Sequence, residues 1–218
     1  DGDDSDDGVA DDDEDEDDFD DEDEPAVVGD VYFGSGDDSM QVLNGTVTGD
    51  IAFGAGAHSL VIDGRASVEG AVTASAGTLA LTIGAGDLRI ENTGALDLET
   101  LNLGSESTLI LTIDPENDAY TALDVAGSAS IADGAKLGVQ LSSFLEDEAS
   151  YTLVTAGALT SEGLDSSLLG EIPYLYSASL IADTAAGTID LHLDRKSQAE
   201  LALPETTGAA YDPIVSAM

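Results

Sequence analysis

An all-β fold, a parallel β-helix, is predicted for this chain by three features. The first is an internal repeat. Gly29-Asp30-Val31-Tyr32-Phe33-Gly34-Ser35-Gly36 returns about twenty residues later as Gly49-Asp50-Ile51-Ala52-Phe53-Gly54-Ala55-Gly56. A fixed period of that length, built from short strands and glycine turns, marks a solenoid whose units stack on one another. The second is period-two alternation of apolar and small polar residues in almost every patterned run, the signature of strands with one buried face. The third is what the sequence lacks: there is no Trp, aromatic residues are 5% of the chain, and helical periodicity is almost absent before Arg195. The aromatic anchors of a β-sandwich core are therefore missing.

Residues 1–26 form an acidic, low-complexity segment. Of the 46 acidic residues, 18 lie in positions 1–24, where there is no Lys or Arg. Such runs repel themselves and stay solvated. Pro25 ends the segment and Val27-Val28 opens the patterned body. Residues 27–141 are expected to be β-helix rungs. Their strands include Leu79-Ala80-Leu81-Thr82-Ile83, Leu101-Asn102-Leu103 and Leu109-Ile110-Leu111-Thr112-Ile113. Only the first two rungs keep the repeat in residue identity; the later spacing reads as irregular. Residues 142–194, where Phe144, Tyr151, Pro173, Tyr174 and Tyr176 gather, are expected to be a bulkier cap over an exposed last rung. Residues 195–218 read as a linker helix. Ser197 to Leu203 is helix-prone, and Tyr211, Ile214, Val215 and Met218 follow at i, i+3, i+4 and i+7.

Composition narrows the function. The formal net charge is −41, with 5 Lys and Arg. Nucleic acid is a poor partner, because phosphate binding needs clustered bases, and anionic membranes are disfavoured for the same reason. Divalent cations are the natural counter-charge. No apolar run is long enough for a spanning helix, so membrane insertion of this segment is not expected. Cysteine is absent, which removes disulfides and thiolate metal sites. The acidic start and the stop at Met218 read as those of a fragment or processed product.

Two stretches carry a calcium pattern. Asp3, Ser5, Asp7 and Glu14 fit an EF-hand-like loop with a glycine turn at Gly8. The run from Asp4 to Asp11 resembles the Asp-rich calcium repeats of thrombospondin type 3. Alternate carboxylates around a glycine can wrap a hard cation with several oxygens; without a cation, the same run is a solvated linker. In the second stretch, Phe33-Gly34-Ser35-Gly36-Asp37-Asp38-Ser39-Met40-Gln41 matches the RTX nonapeptide after its first residue, making Asp37 and Asp38 candidate calcium ligands. The next rung carries His58 where the Asp ligand belongs, and a plain turn is the alternative.

Catalytic signals are weak, and no enzyme is expected. Neither Ser128 nor Ser161 sits in a nucleophile elbow. His58 and His192 have no partners at ligand spacing and read as surface or strand-end residues. Arg65, Arg89, Lys136, Arg195 and Lys196 are too few for a β-helix lyase face. Gly84-Ala85-Gly86 lacks the following helix that would aim amides at a phosphate.

The body resembles the C-terminal passenger region of bacterial type V autotransporters. The likeness covers about residues 27–218. It rests on the Gly29 and Gly49 rung pair, on Leu111-Thr112-Ile113-Asp114-Pro115, on Tyr120 to Ala129, on Ile131 to Leu137, on Tyr151 to Ala156 and on Leu191 to Leu201. The resemblance implies a right-handed β-helix stalk, an autochaperone region that nucleates folding outside the cell, and no catalytic residue. It also implies export through the outer membrane of a Gram-negative cell, with the barrel of its own precursor as a partner. That barrel is absent from this sequence. The expected function is a non-catalytic stalk at the cell surface or secreted, joined to an upstream domain or to neighbouring copies. Alternatives are a calcium-dependent, self-assembling adhesin, surface-layer or filament subunit, and the non-catalytic tail of a secreted hydrolase such as a protease.

Overall fold

The structure, a computed structural model, describes residues 24–145, 148–197 and 199–202. The calcium pattern within 1–23 lies outside the described residues, as do residues 203–218 of the linker helix expected over 195–218; in its described part that expectation fails, because Arg195 ends a strand and no helix follows. Residues 199–202 form a turn, closed by the Leu201 amide on the Ser197 carbonyl at 3.0 Å and the Ala202 amide on the Ala199 carbonyl at 3.1 Å.

The described chain winds as successive coils. The first holds β1 (Ala26–Val28), β2 (Val31–Tyr32) and β3 (Ser39–Val42). The second holds β4 (Thr46–Thr48), β5 (Ile51–Phe53) and β6 (Ala57–Ile62). The third holds β7 (Ser67–Gly70), β8 (Val72–Ala74) and β9 (Thr78–Ile83), and the fourth β10 (Asp87–Ile90), β11 (Gly94–Leu98) and β12 (Thr100–Leu103). A fifth coil carries β13 (Thr108–Asp114) and β14 (Ala119–Ile131), and a sixth β15 (Ala135–Leu141) and β16 (Ala149–Ser161). After them come β17 (Leu164–Asp165), a 3₁₀ turn (Ser167–Glu171), β18 (Tyr176–Asp183) and β19 (Thr188–Arg195).

Stacking these coils generates three faces. On the first, β1, β4, β7, β10, β13, β15 and β17 pair in parallel, in that order. The second face begins as β2, β5 and β8 and resumes as β11, β14 and β16. The third runs β3, β6, β9, β12, β14 and β16. The two long strands thus serve two faces each. They turn the corner at Gly127 and Gly157, where the β14–β16 register shifts between Val125 and Ser128.

The register corrects the sequence reading of the repeat. Ala26 pairs with Thr46, Thr46 with Ser67, Ser67 with Asp87 and Asp87 with Thr108. Coils of 20 and 21 residues therefore alternate over four steps, where the sequence identities run over one. The next partners, Thr108 with Lys136 and Lys136 with Asp165, are 28 and 29 residues apart. Part of the fifth coil's added length is an antiparallel excursion in which Ile113 faces Tyr120 and Asp114 faces Ala119.

Inward alternation builds the core. Leu79, Leu81 and Ile83 of β9 are fully buried, as are Leu60 and Ile62 of the coil before and Leu101 of the coil after. Fully burying such a side chain stabilises by about 1.5–3 kcal/mol. Because in-register stacking places like over like, Phe33 and Phe53 lie face to face, 4.8 Å apart with planes 3° from parallel. The ladder on the second face breaks between β8 and β11. There Asn92 Oδ1 accepts the Val72 amide at 2.9 Å in place of a strand partner.

The C-terminal part departs from parallel stacking. Strand β19 pairs antiparallel with β16 and then with β18. Of the late aromatic residues, Tyr151 and Tyr176 are buried, whereas Tyr174 and Phe144 are exposed. At the other end, the first coil leaves Val27, Val28, Tyr32 and Leu43 exposed.

Candidate functional site

Asp3, Ser5, Asp7, Asp11 and Glu14 lie outside the described residues, so the structure brings only Asp37 and Asp38 into view. Both sit in the turn between β2 and β3, over the second coil. Asp37 Oδ1 accepts the Ala57 amide at 2.8 Å, so one of its oxygens is engaged in holding two coils together. Asp38 faces His58. Oδ2 of Asp38 lies 3.6 Å from His58 Nδ1, and the Asp38 amide donates to the same nitrogen at a long 3.4 Å. The two aspartates therefore take different partners. Among the described residues, no group of three or more His, Asp or Glu side chains converges as a metal-binding set.

His58 is not the surface residue that its sequence suggests. It lies on β6 with a side chain closed to solvent, packs 5.1 Å from Phe53 with the rings tilted by 31°, and places Nε2 3.1 Å from the Gly54 carbonyl. A carbonyl only accepts, so Nε2 is the donor in that contact, and Nδ1 faces the Asp38 amide and carboxylate. Parity along β6 was the missed signal. His58, Leu60 and Ile62 alternate with Ala57, Ser59 and Val61, and the first set faces inward.

A second feature is a cleft of about 890 Å³ beside the antiparallel strands, lined by Glu116, Asp118, Glu148, Tyr151, Tyr176 and Arg195 among others. One wall is fixed by the Tyr176 hydroxyl, which donates to the Leu145 carbonyl at 3.1 Å and accepts the Leu145 amide at 3.0 Å. Tyr151 packs 5.1 Å from Tyr120. Burial, then the nearby Asp118 charge, pushes the Tyr151 phenol up from its usual range. Asp114, at the rim of the hairpin, is held below the usual carboxylate range by the Asn117 side chain and by Ser143. Sequence reading marked these tyrosines as bulk and did not anticipate a cleft. The acids come from turns that only the fifth and sixth coils bring together.

Among the described residues, Ser150 Oγ and His192 Nδ1 lie 2.7 Å apart. The two residues are opposite partners in the β16–β19 register and lie on an exposed strand surface. That cross-strand placement accounts for the contact.

The fold defines a class: an all-β chain whose parallel coils curl one large sheet around an aliphatic core, in the manner of a β-solenoid. No family model matches the chain, and no curated protein or solved structure is significantly similar to it.

Proposed function

We propose that this chain is the non-catalytic stalk of a passenger from the type V autotransporter class, exported to the cell surface or beyond. In this reading the coils wind right-handedly, and residues 142–194 are a cap that templates folding of the rungs. The supporting observation is the change of strand direction at the C-terminal end. Parallel stacking gives way to antiparallel pairing through β16, β19 and β18, and in the β18–β19 hairpin the partners are close in sequence, down to Asp183 with Thr188. Local hairpin pairing forms before long-range parallel pairing, because less loop entropy is lost. A nucleus at that end, followed by coil-by-coil growth toward the first coil, suits a chain that emerges outside a cell without chaperones.

The direct test fuses this chain upstream of an outer-membrane barrel and measures surface exposure by protease accessibility on intact cells. Removing residues 142–194 should abolish protease-resistant display. Undiminished display of a folded, resistant product would sink the templating role.

The self-assembly reading is favoured by one observation, the exposed apolar side chains of Val28 and Tyr32 on the first coil, whose strands among the described residues pair only with the second coil. Unpaired strand edges are templates for association. Light scattering across a millimolar calcium series decides it, since an unchanged monomer size would remove this alternative.

A further inference from the structure

Strand β18 pairs with β19 along all eight of its residues, from Tyr176 on Arg195 to Asp183 on Thr188, without a register shift. Among the described residues no strand lies on its other side. The Lys196 amide donates to the Leu175 carbonyl at 2.8 Å, which makes Leu175 and Lys196 a hydrogen-bonded pair. Such pairs alternate with non-bonded ones along an antiparallel ladder. Ser177, Ser179, Ile181 and Asp183 therefore bond to β19, while Ala178, Leu180 and Ala182 turn their N–H and C=O groups outward. No described residue takes those outward groups.

Nothing in the sequence of this edge blunts it. Natural sheet edges are protected by shortness, by Lys or Pro, or by a bulge. The strands of the first coil have only two to four residues. By contrast β18 reads Tyr-Ser-Ala-Ser-Leu-Ile-Ala-Asp and carries none of these devices. In a chain of net charge −41 it holds a single charge, Asp183 at its end. Ile181 is exposed, and Leu180 packs only partly against the core.

Charge and register select the occupant. A second copy added parallel and in register would set Asp183 directly against its own counterpart, and like charges placed opposite are destabilising. An antiparallel copy centred on Leu180 keeps the two aspartates about 20 Å apart. It also moves each toward the end of the other hairpin that carries Arg195 and Lys196, two of the five bases, which Asp194 only partly offsets. The same register pairs Ala178 with Ala182 and Leu180 with its own counterpart, so every outward amide meets an outward carbonyl. The apolar face that joins Leu191 of β19 to Leu180 then continues into the second copy.

We propose that β18 is a self-recognition edge, through which two copies of this chain join antiparallel about a twofold axis at Leu180. The contact adds about six hydrogen bonds and runs β19 and β18 of one copy into β18 and β19 of the other. This surface is not the first-coil edge, and the inference does not rest on the stalk reading.

The test is sedimentation velocity of the full chain from micromolar to millimolar concentration, in salt that screens the net charge, with residue-resolved amide exchange at both ends of the series. The chain should pass from monomer to dimer. The Ala178, Leu180 and Ala182 amides should be protected in the dimer and exchange freely in the dilute monomer. Ala182→Pro deletes an outward amide and leaves the β19 ladder intact. By symmetry it removes two of the bonds between copies, and it should weaken association about tenfold or more. Ile181→Lys adds the charge with which natural edges deter pairing and should act likewise. Both dilute variants should melt with the parent, which separates lost pairing from lost folding. The proposal is overturned if the chain stays monomeric throughout, or if it dimerises while those three amides still exchange freely. It is also overturned if they are already protected in the dilute monomer, where a segment of the same chain would be the occupant, or if both folded variants associate as tightly as the parent.

Discussion

Asp30 and Asp50 are successive rungs of one carboxylate ladder. Oδ1 of Asp30 accepts the Asp50 amide at 3.0 Å, and Oδ1 of Asp50 accepts the Ala71 amide at 2.9 Å. Each side chain satisfies a backbone donor of the following coil at a corner that strand pairing does not reach. The Asp50 amide, then the Tyr32 hydroxyl donating at 3.0 Å, holds the Asp30 carboxyl below the usual carboxylate range. A carboxylate depressed in this way contributes stability that is present above its unfolded value of about 3.9 and is lost as pH falls through the folded value. Asp30 should therefore stay ionised below the pH at which unengaged aspartates protonate, and Tyr32→Phe should raise its midpoint. Carbon-13 carboxyl titration measures both, and an unmoved midpoint in the variant would remove the hydroxyl from the account.

Two glycines at equivalent positions should respond oppositely to alanine. Neither Gly34 nor Gly54 adopts a left-handed φ. A Cβ on Gly54 would collide with the Gly34 carbonyl, whereas a Cβ on Gly34 meets nothing within 4 Å. Gly54→Ala is expected to destabilise by roughly 1–3 kcal/mol through forced separation of the coils. Gly34→Ala should stay within about 0.5 kcal/mol of the parent. Paired thermal melts decide it, and equal losses would contradict the collision.

Core alternation predicts a similar contrast along one strand. Leu81 is fully buried between Leu60 and Leu101, while the neighbouring Thr82 is only partly covered. Leu81→Ala should cost about 2–5 kcal/mol, and Thr82→Ala less than about 1 kcal/mol. Chemical denaturation of the two variants reads the difference directly.

Thr121 is a buried polar group at the point where the coil length changes. Its hydroxyl donates to the Asn92 carbonyl at 2.6 Å and accepts the Thr112 amide at 3.2 Å. Thr121→Val keeps the shape but strands both backbone groups, at a cost of about 1–3 kcal/mol. Thr121→Ser retains the bonds and should recover most of that loss. If valine and serine behave alike in urea melts, packing and not hydrogen bonding governs the site.

Much of this architecture was legible in the sequence because strand alternation is local. Leu79, Leu81 and Ile83, or Leu109, Leu111 and Ile113, announce their buried face without help from the rest of the chain. The continuing period was not legible beyond Gly56, because register constrains inward volume and corner geometry, not identity. Asn92 can hold the corner amide of Val72 much as Asp50 holds that of Ala71. His58 was misplaced because chemical type was weighed above parity. The cleft was invisible for a different reason. Its acids, Glu116 and Glu148, lie on separate coils, and only the stacked structure says which turns are neighbours.

The parallel ladder also fixes how the molecule answers to force. From Ala26 to Lys136 on the first face, the hydrogen bonds between coils point along the stacking axis. Tension applied along that axis loads them one junction at a time, so the chain should pay out in steps of about one coil and not snap as a block. Pulled from the first coil, it should yield its 20- and 21-residue turns before the longer ones. The junction clasped by Asp37 on Ala57 would then act as the first catch in a ratchet that sheds length gradually under load.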